Sequence, residues 1–263
     1  MNYSTPYFLK FLQGVALAAM VAFSGCGKKE KSLDDMSFKE LASKSKDALA
    51  SKKAESAIVY LEKLITQFPE HQQLGEYKLK LADLYLKDGR HESAYILYEN
   101  FNNLYPCHAK AEYAHYKQVL AKFYQTLKIN QSCDSTLTEN AVELCNSYLE
   151  NKAFTQYRQD VSDIVTTCQN RLLDKEVHIF STYLRRNKYA SARNRLAFIK
   201  EKFLAKNKAL EPRILFLECK LAHKQNNKTE EEKLFNNLVE QYPESQFTRM
   251  AQGFIAKPKG FVF

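Results

Sequence analysis

The sequence predicts an all-α fold, a right-handed superhelix (α-solenoid) of about five helix-turn-helix repeats. The 263 residues include only 7 Gly and 6 Pro, too few for the many tight turns of an all-β sandwich or barrel. Apolar residues recur at helical spacing along most of the chain. Three segments also end in an aromatic residue followed by proline, which indicates an internal repeat.

The net positive charge of the chain indicates which classes of binding partner to consider. The formal net charge is +9 and the sequence pI is about 9.1, which suggests an anionic partner, with nucleic acid as the usual first candidate. The sequence contains no G-x-G-x-x-G and no G-x-x-x-x-G-K-[ST] motif, so it lacks the glycine-rich loops that hold nucleotide phosphates. The N-terminus argues against a nucleic-acid partner.

Residues 1–25 are predicted to be a lipoprotein signal peptide. The apolar run from Gly14 to Phe23 is too short to span a bilayer and fits the apolar region of a signal peptide. The sequence Phe23-Ser24-Gly25-Cys26 resembles the bacterial lipobox, although Phe23 replaces the usual leucine. The resemblance implies that Cys26 becomes the first mature residue and carries lipid. The alternative is an ordinary signal peptide with an incidental cysteine.

Residues 26–36 would then form a short lipidated tether. The residue after Cys26 is Gly27, not the aspartate that resembles an inner-membrane retention signal. The lipoprotein rule therefore implies an anchor in the bacterial outer membrane, with the body facing the periplasm. No nucleic-acid partner is expected in that compartment.

The body, residues 37–247, divides into five predicted repeats at about 37–70, 74–107, 111–154, 157–206 and 210–245, followed by a C-terminal tail at 248–263. Pro69 and Pro106 lie 37 residues apart, and apolar stripes at helical spacing precede both. The stripe of each second helix begins at an anchor position: Ala57, Ala94, Ala141, Ala192 and, in the fifth repeat, Glu231.

These repeats resemble the tetratricopeptide repeat (TPR), and the second carries nearly the whole pattern: Leu81, Ala82, Tyr85, Ala94, Tyr98, Phe101 and Pro106. Lipobox, short basic tether and about five TPRs occur in the order typical of the BamD family of outer-membrane assembly lipoproteins, which the mature chain resembles up to about Phe247. Glu231, the short tail and the many cysteines depart from the family pattern.

The resemblance implies a non-enzymatic scaffold of the β-barrel assembly (BAM) complex. Such a scaffold binds the POTRA domains of the barrel subunit, other BAM lipoproteins and unfolded outer-membrane proteins. A TPR stack offers a groove for peptides, so Tyr77, Tyr113 and Tyr116 are candidate substrate contacts. The alternative is that these tyrosines are packed between helices, as is expected for Tyr85 at the aromatic position of the repeat.

A basic stretch from Arg185 to Lys208 is the candidate partner surface, and five of its cations are singled out: Arg185, Arg186, Arg193, Arg195 and Lys202. Helical spacing predicts that Arg193 and Arg195 flank the apolar stripe and point outward. An acidic face of a partner is the functional interpretation. Anionic lipid headgroups and a merely solvated lysine-rich face are the alternatives.

No catalytic residue, cofactor or metal site is predicted. Five cysteines besides Cys26 leave the disulfide pairing open: Cys107, Cys133, Cys145, Cys168 and Cys219. Bridges from Cys133 to Cys145 or Cys168 are conceivable. Cys107, His108 and His115 lack the spacing of a metal site. The functional alternatives are another TPR lipoprotein, either a pilotin-like secretin-assembly factor or an envelope-protease adaptor, and a structural envelope lipoprotein.

Overall fold

The computed structural model describes residues 31–128, 135–205 and 207–255, which contain eleven α-helices and no β-strand. Ten of the helices form five consecutive antiparallel pairs, called repeats 1 to 5. The pairs are α1 Phe38–Ala50 with α2 Ala54–Gln67, α3 Leu74–Lys87 with α4 His91–Leu104, α5 Ala111–Leu127 with α6 Thr136–Glu150, α7 Arg158–Arg185 with α8 Tyr189–Ile199, and α9 Glu211–Lys224 with α10 Lys228–Gln241.

Each helix packs mainly against its neighbours in the chain. The second helix of one repeat contacts the first helix of the next, as α4 contacts α5 and α6 contacts α7. First helices also contact one another, α3 with α5 and α5 with α7. A stack in which each repeat touches only nearby repeats is an α-solenoid. The prediction of an all-α TPR solenoid is confirmed.

The apolar stripes of the second helices form the core. Ala57 and Ala94 are fully buried, which allows the two helices of a repeat to cross closely. In α4 the stripe continues through Tyr98 and Phe101, both also fully buried. Corresponding positions along α6 and α8 are buried too. In the described residues, the buried apolar side chains form five clusters, each shared by helices of adjacent repeats, so a single repeat would leave its stripe exposed.

The turn between the two helices of a repeat uses a left-handed residue. Lys52, Gly89, Asn187 and Asn226 have φ angles of 57°, 79°, 55° and 57° and occupy this turn in repeats 1, 2, 4 and 5. In each case the next residue donates its backbone N–H to a carbonyl five residues back, as Lys53 does to Ala48. This hydrogen bond closes the first helix in a Schellman motif.

The aromatic-proline motif ends the second helices. Phe68, Tyr105 and Tyr242 adopt nearly the same backbone conformation, with φ between −128° and −136°. Because the following proline lacks a backbone N–H, the helix cannot continue past it. The Tyr105 ring folds back over Gly75, where an added Cβ would lie 3.0 Å from the ring. A glycine at position 75 therefore makes room for the aromatic terminator.

Repeat 4 departs from the regular pattern. Its first helix, α7, has 28 residues and packs against α6 as well as α8. Its second helix continues from Ile199 into a π-helical segment, Lys200–Leu204. After repeat 5, helix α11 (Gln246–Ile255) packs on α9 and buries Thr248 and Ala251. The described part of the expected C-terminal tail is thus helical, because Thr248 and Ala251 present a small face to the last hairpin.

A short leader also packs on repeat 1. Residues Leu33–Asp35 form a 3-10 turn, and Met36 behind it is buried against the first hairpin. Asp34 forms an ion pair with Lys63, and its carbonyl accepts a 3.0 Å hydrogen bond from the Gln67 side chain. Part of the segment 26–36, predicted to be a tether, is therefore fixed to the solenoid.

Candidate functional site

The first helices of repeats 2 and 3 border a cavity of about 380 Å³. It is lined by Glu76, Leu79, Lys80, Asp83, Ala109, Lys110, Glu112, Tyr113 and Gln156. It lies in the layer of first helices, where the predicted peptide groove would run. The lining combines charged groups with the edge of one aromatic ring.

Two tyrosines from different helices converge on Asp83. Its carboxylate accepts hydrogen bonds from the Tyr98 hydroxyl at 2.6 Å and from the Tyr113 hydroxyl at 2.8 Å. Burial raises the pKa of both tyrosines, and the neighbouring carboxylate raises it further. Both hydroxyls therefore stay protonated and hold Asp83 in place, which fixes this wall of the cavity.

The other acidic groups of the cavity are also paired. Glu112 accepts a 2.8 Å hydrogen bond from the Tyr148 hydroxyl and a second from the backbone N–H of Gln156. Glu76 forms an ion pair with Lys110 and lies 3.6 Å from His108. These pairs neutralise or fix the charges of the cavity wall.

Tyr113 and Tyr116 belong to an aromatic cluster between α5 and the start of α7. The Tyr116 ring stacks on Tyr157 with centroids 4.2 Å apart and planes only 1° from parallel. Tyr113 meets the same ring edge-on at 6.5 Å. Both tyrosines are half-buried, and Tyr113 also lines the cavity. The structure thus brings these two predicted contacts together.

Tyr77 lies elsewhere. Its ring meets the edge of Phe38 at 5.4 Å and packs between the first helices of repeats 1 and 2. It does not line the cavity, so its geometry matches the inter-helix alternative. Tyr85 is a half-buried packing residue, as expected, and its hydroxyl donates to Glu62. Burial, followed by that carboxylate, raises the pKa of Tyr85 to about 12.

Some of the singled-out basic residues of repeat 4 are exposed to solvent, and others are paired with carboxylates of neighbouring helices. Arg185, Arg186 and Arg193 are exposed, and for Arg193 the helical spacing predicted this. Arg195 is not outward-facing: its guanidinium donates a 2.8 Å hydrogen bond to Glu176 of α7. The expectation that both Arg193 and Arg195 point outward is therefore wrong for Arg195. Position 195 follows the buried Ala192 by three residues, which places it at the edge of the stripe facing α7.

The sequence reasoning missed Phe198, an exposed ring on the same helix. The Arg195 guanidinium lies 5.4 Å and the Lys202 ammonium 5.5 Å from its centroid, within the range of cation–π attraction. Tyr183, Ser191 and Asn194 join Phe198 and Arg195 around a cavity of about 360 Å³. The exposure of Phe198 could have been predicted from the sequence, because Phe198 does not belong to the apolar stripe of Ala192, Leu196 and Ile199.

Lys202 is the fifth singled-out cation. It is half-buried, and its ammonium lies 3.3 Å from a carboxylate oxygen of Glu139 on α6. It therefore connects repeats 3 and 4 and also flanks Phe198. Of the five singled-out cations, Arg185, Arg186 and Arg193 are exposed, as is the Phe198 ring, and we call these four residues the repeat-4 face.

The four cysteines of the described ranges are free thiols: Cys107, Cys145, Cys168 and Cys219. The last three are buried, and burial raises the pKa of Cys145 and Cys219 to about 12 and that of Cys168 to about 11. Cys133 lies outside the described residues. His108 and His115 point to different neighbours, since His108 approaches Glu76 and Phe101 while His115 packs on Phe154.

Glu231 is a buried carboxylate at the anchor position of repeat 5, with only 1% of its surface exposed. It accepts hydrogen bonds from His223 at 2.6 Å and from Lys228 at 2.9 Å. The signal was present, because a glutamate stands where the other repeats have alanine.

Cys26 and the predicted signal peptide at 1–25 lie outside the described residues, as do residues 27–30 of the tether. No helix in the three described ranges is both long and apolar enough to cross a membrane.

Three solved structures resemble this fold. The TPR domain of P58(IPK) is 15% identical with a TM-score of 0.41, covers 83% of this chain and is itself covered over only 56% of its length. A tetratricopeptide repeat protein from Parabacteroides merdae is 18% identical, with a TM-score of 0.35 and coverages of 84% and 74%. The Pseudomonas aeruginosa protein pilF is 14% identical, with a TM-score of 0.33 and coverages of 83% and 82%.

A family model gives the family of the chain. The model described as YfiO, outer membrane lipoprotein, matches residues 34–231, which run from the packed leader to the anchor position of repeat 5. The match spans most of the sequence and includes both surfaces described above. The chain therefore belongs to the YfiO family of outer membrane lipoproteins.

Proposed function

We propose that the protein is a non-enzymatic scaffold of outer-membrane β-barrel assembly, anchored through lipid on Cys26 and facing the periplasm. It would bind the POTRA domains of the barrel subunit, together with other lipoproteins of that machinery, and would receive unfolded outer-membrane proteins. Family membership supports the lipoprotein part of this proposal. The surfaces of repeats 2 to 4 support the binding part.

The repeat-4 face is the observation that carries the proposal. An exposed aromatic ring beside arginines is the composition found at the energetic centres of protein interfaces. Arg193 is exposed and can present its planar fork to a carboxylate of a folded acidic partner. Phe198 supplies exposed apolar area on the same helix, with Arg195 and Lys202 against its ring. A folded domain with an acidic, partly apolar face is the matching partner.

The cavity between α3 and α5 is the second binding surface of the proposal. Its fixed carboxylates and the Tyr113–Tyr116–Tyr157 cluster offer polar contacts and ring faces to an unfolded chain. Strands of outer-membrane barrels are rich in aromatic residues at their ends, which can stack on such rings. A Tyr116→Ala variant should therefore bind an aromatic-ended strand peptide more weakly.

Co-purification tests the scaffold role. Arg193→Glu combined with Phe198→Ala should greatly reduce recovery of the POTRA-bearing barrel subunit, while circular dichroism stays unchanged because both side chains are exposed. Lys46→Glu, a charge reversal on exposed surface of repeat 1, is the matched control and should retain the partner. Undiminished recovery with the double variant would place the interface elsewhere. Recovery of a secretin or a protease instead would support one of the alternative functions.

A further inference from the structure

Two buried thiols lie at the interface of repeats 3 and 4. Cys145 is on α6, the second helix of repeat 3, and Cys168 is on α7, the first helix of repeat 4. Both side chains are fully buried, with 0% exposure, and both belong to the same apolar cluster. Neither thiol lines the cavity between α3 and α5 or belongs to the repeat-4 face.

The register of α6 against α7 places the two thiols opposite each other. The helices pack side by side and run antiparallel, since only the short connection 151–157 separates them in the chain. Asn146 follows Cys145 and Gln169 follows Cys168, and these two amides border one common cavity of about 330 Å³. The buried positions just before them therefore meet in the core beside that cavity.

Electrostatics agrees with this proximity. Burial raises the pKa of the Cys145 thiol to about 12, and the Cys168 thiol adds to the shift. A contribution of this kind falls with distance, so it comes from a near neighbour.

The size of the side chains allows a close approach of the two backbones. Cysteine is small, and Ala141, one turn earlier on α6, is small and buried as well. The axes of packed helices lie about 8–10 Å apart, depending on the side chains at the contact, and each Cα lies about 2.3 Å from its axis. Facing Cα atoms are then about 4–6 Å apart, which overlaps the range of about 4.4–6.8 Å that a disulfide requires.

We propose that Cys145 and Cys168 form a disulfide bond that joins repeats 3 and 4 in the mature protein. The oxidant is itself a disulfide, either of a small thiol or of a thiol oxidoreductase. Such bonds persist in oxidising compartments, so the presence of the bond in cells rests on the proposed periplasmic location. The pairing of these two cysteines rests on the geometry of α6 and α7 alone.

The reaction is a double thiol–disulfide exchange. One cysteine thiolate attacks the oxidant, which forms a mixed disulfide and releases one thiol. The second thiolate attacks the mixed disulfide, which closes the Sγ–Sγ bond and releases the second thiol of the oxidant. The two cysteines lose two electrons to the oxidant, and their two protons pass through solvent to the released thiolates. Because burial raises the pKa of Cys145 to about 12 and that of Cys168 to about 11, exchange occurs while the chain folds, before α6 packs on α7.

The bond would fix one interface of the stack covalently. In a solenoid each repeat contacts only nearby repeats, so the packing of α6 on α7 determines how repeats 1–3 are oriented relative to repeats 4 and 5. A disulfide at this point would keep the cavity between α3 and α5 at a constant distance from the repeat-4 face.

Peptide mapping after refolding tests the pairing. The full chain is refolded from denaturant with oxidised and reduced glutathione, its free thiols are blocked with iodoacetamide, and it is digested with a glutamate-specific protease. Cleavage after Glu139 and Glu143 separates Cys133 from Cys145. The expected product is a linked pair of peptides that contain Cys145 and Cys168, lighter than their sum by the mass of two hydrogen atoms. Reduction should lower the melting temperature by about 5 °C or more.

Cys145→Ala combined with Cys168→Ala should abolish the effect of reductant on the melting temperature. Cys219→Ala removes another fully buried thiol and is the matched control, which should keep the effect. Linkage of Cys133 to either cysteine, or alkylation of both Cys145 and Cys168 in the refolded wild type, would overturn the inference. The map of the wild type decides the question even if the double variant does not fold.

The same map of protein isolated from the cell envelope separates this inference from the proposed location. A linked pair of peptides is expected there too. A bond that forms in glutathione but is missing from the envelope sample would contradict the oxidising compartment, and with it the presence of the bond in the mature protein. Free thiols in both samples would overturn the pairing itself.

Discussion

Arg195 and Glu176 form a 2.8 Å ion pair across the interface of α7 and α8. Glu176 retains 13% of its side-chain exposure and Arg195 retains 30%, so solvent screens the pair only in part. The same guanidinium lies against Phe198, which presents its ring to solvent. Arg195 therefore connects the packing of repeat 4 to its exposed face, and substitutions at 193 and 195 should have different effects.

Arg195→Glu should destabilise the protein by about 1–3 kcal/mol, because it places a second carboxylate beside the partly buried Glu176. Thermal denaturation measures the change. Arg193→Glu is the control and should leave the melting temperature nearly unchanged, since Arg193 is exposed. Adding Glu176→Arg to Arg195→Glu should recover part of the loss. Equal melting temperatures for the two single variants would contradict the pairing.

Ala94→Leu should destabilise the protein by about 1–3 kcal/mol through overpacking, because Ala94 is fully buried where α3 and α4 cross. The measurement is chemical denaturation followed by circular dichroism. Ala197→Leu on α8 adds the same atoms at an exposed position and should cost little. A tolerant Ala94 site would mean that the helix crossing has unfilled space.

Glu231→Gln should lower stability at pH 7 by about 1–3 kcal/mol, because the hydrogen bonds from His223 and Lys228 lose their charged acceptor. Burial raises the pKa of Glu231, but these two donors lower it more, so it lies below its usual 4.5. A carboxylate with a depressed pKa stabilises the fold above pH 4.5 and loses this effect as the pH falls. The difference between wild type and variant should therefore shrink on acidification, and a constant difference would argue against the ionised form.

Lys52→Gly should raise stability by about 0.5–1 kcal/mol, because Lys52 has a φ of 57°, which glycine adopts without steric cost. Gly89→Ala is the reciprocal change at the equivalent turn of repeat 2. The space around Gly89 is open, so its φ of 79° alone should make the alanine destabilising. Paired melting curves measure both, and changes of the same sign would show that these turns are not equivalent.

Metabolic labelling with a palmitate analogue should mark the wild-type chain and leave Cys26→Ser unmarked. The expectation rests on the lipobox-like sequence Phe23-Ser24-Gly25-Cys26, in which the thiol of Cys26 is the acceptor of lipid. Cys107→Ser keeps that thiol and is the control. Equal labelling of the wild type and Cys26→Ser would contradict the prediction that Cys26 carries the lipid.

The solenoid could be predicted because its signals are local. An apolar stripe such as Ala94, Tyr98 and Phe101 predicts the buried face of one helix, and the proline after Tyr105 predicts where that helix ends. The burial of Tyr77 and the separation of Arg195 from Arg193 depend instead on which side chain of another helix lies opposite. A single sequence does not contain that information.

The same limit applies to the cavities. The one between α3 and α5 depends on Asp83 receiving two hydroxyls from tyrosines 15 and 30 residues away. The π-helical segment Lys200–Leu204, which ends repeat 4, is likewise not indicated by the helix propensities of its residues. Glu231 is different, since a charged residue at a small-residue position was visible in the alignment of the repeats with one another.

If Cys26 carries lipid, as proposed, the packed leader on repeat 1 limits the distance between the solenoid and the bilayer. Lys31 is bonded to Glu40, and Asp34 is bonded to Lys63, so four residues, 27–30, separate Cys26 from the first contact of the leader. The five Cα–Cα steps from Cys26 to Lys31 span about 18 Å at most in a fully extended chain. With lipid on Cys26, repeat 1 would stay close to the membrane surface, and the later repeats of the stack would lie farther from the anchor. Partners that meet repeat 4 would do so at a height set by the length of the stack.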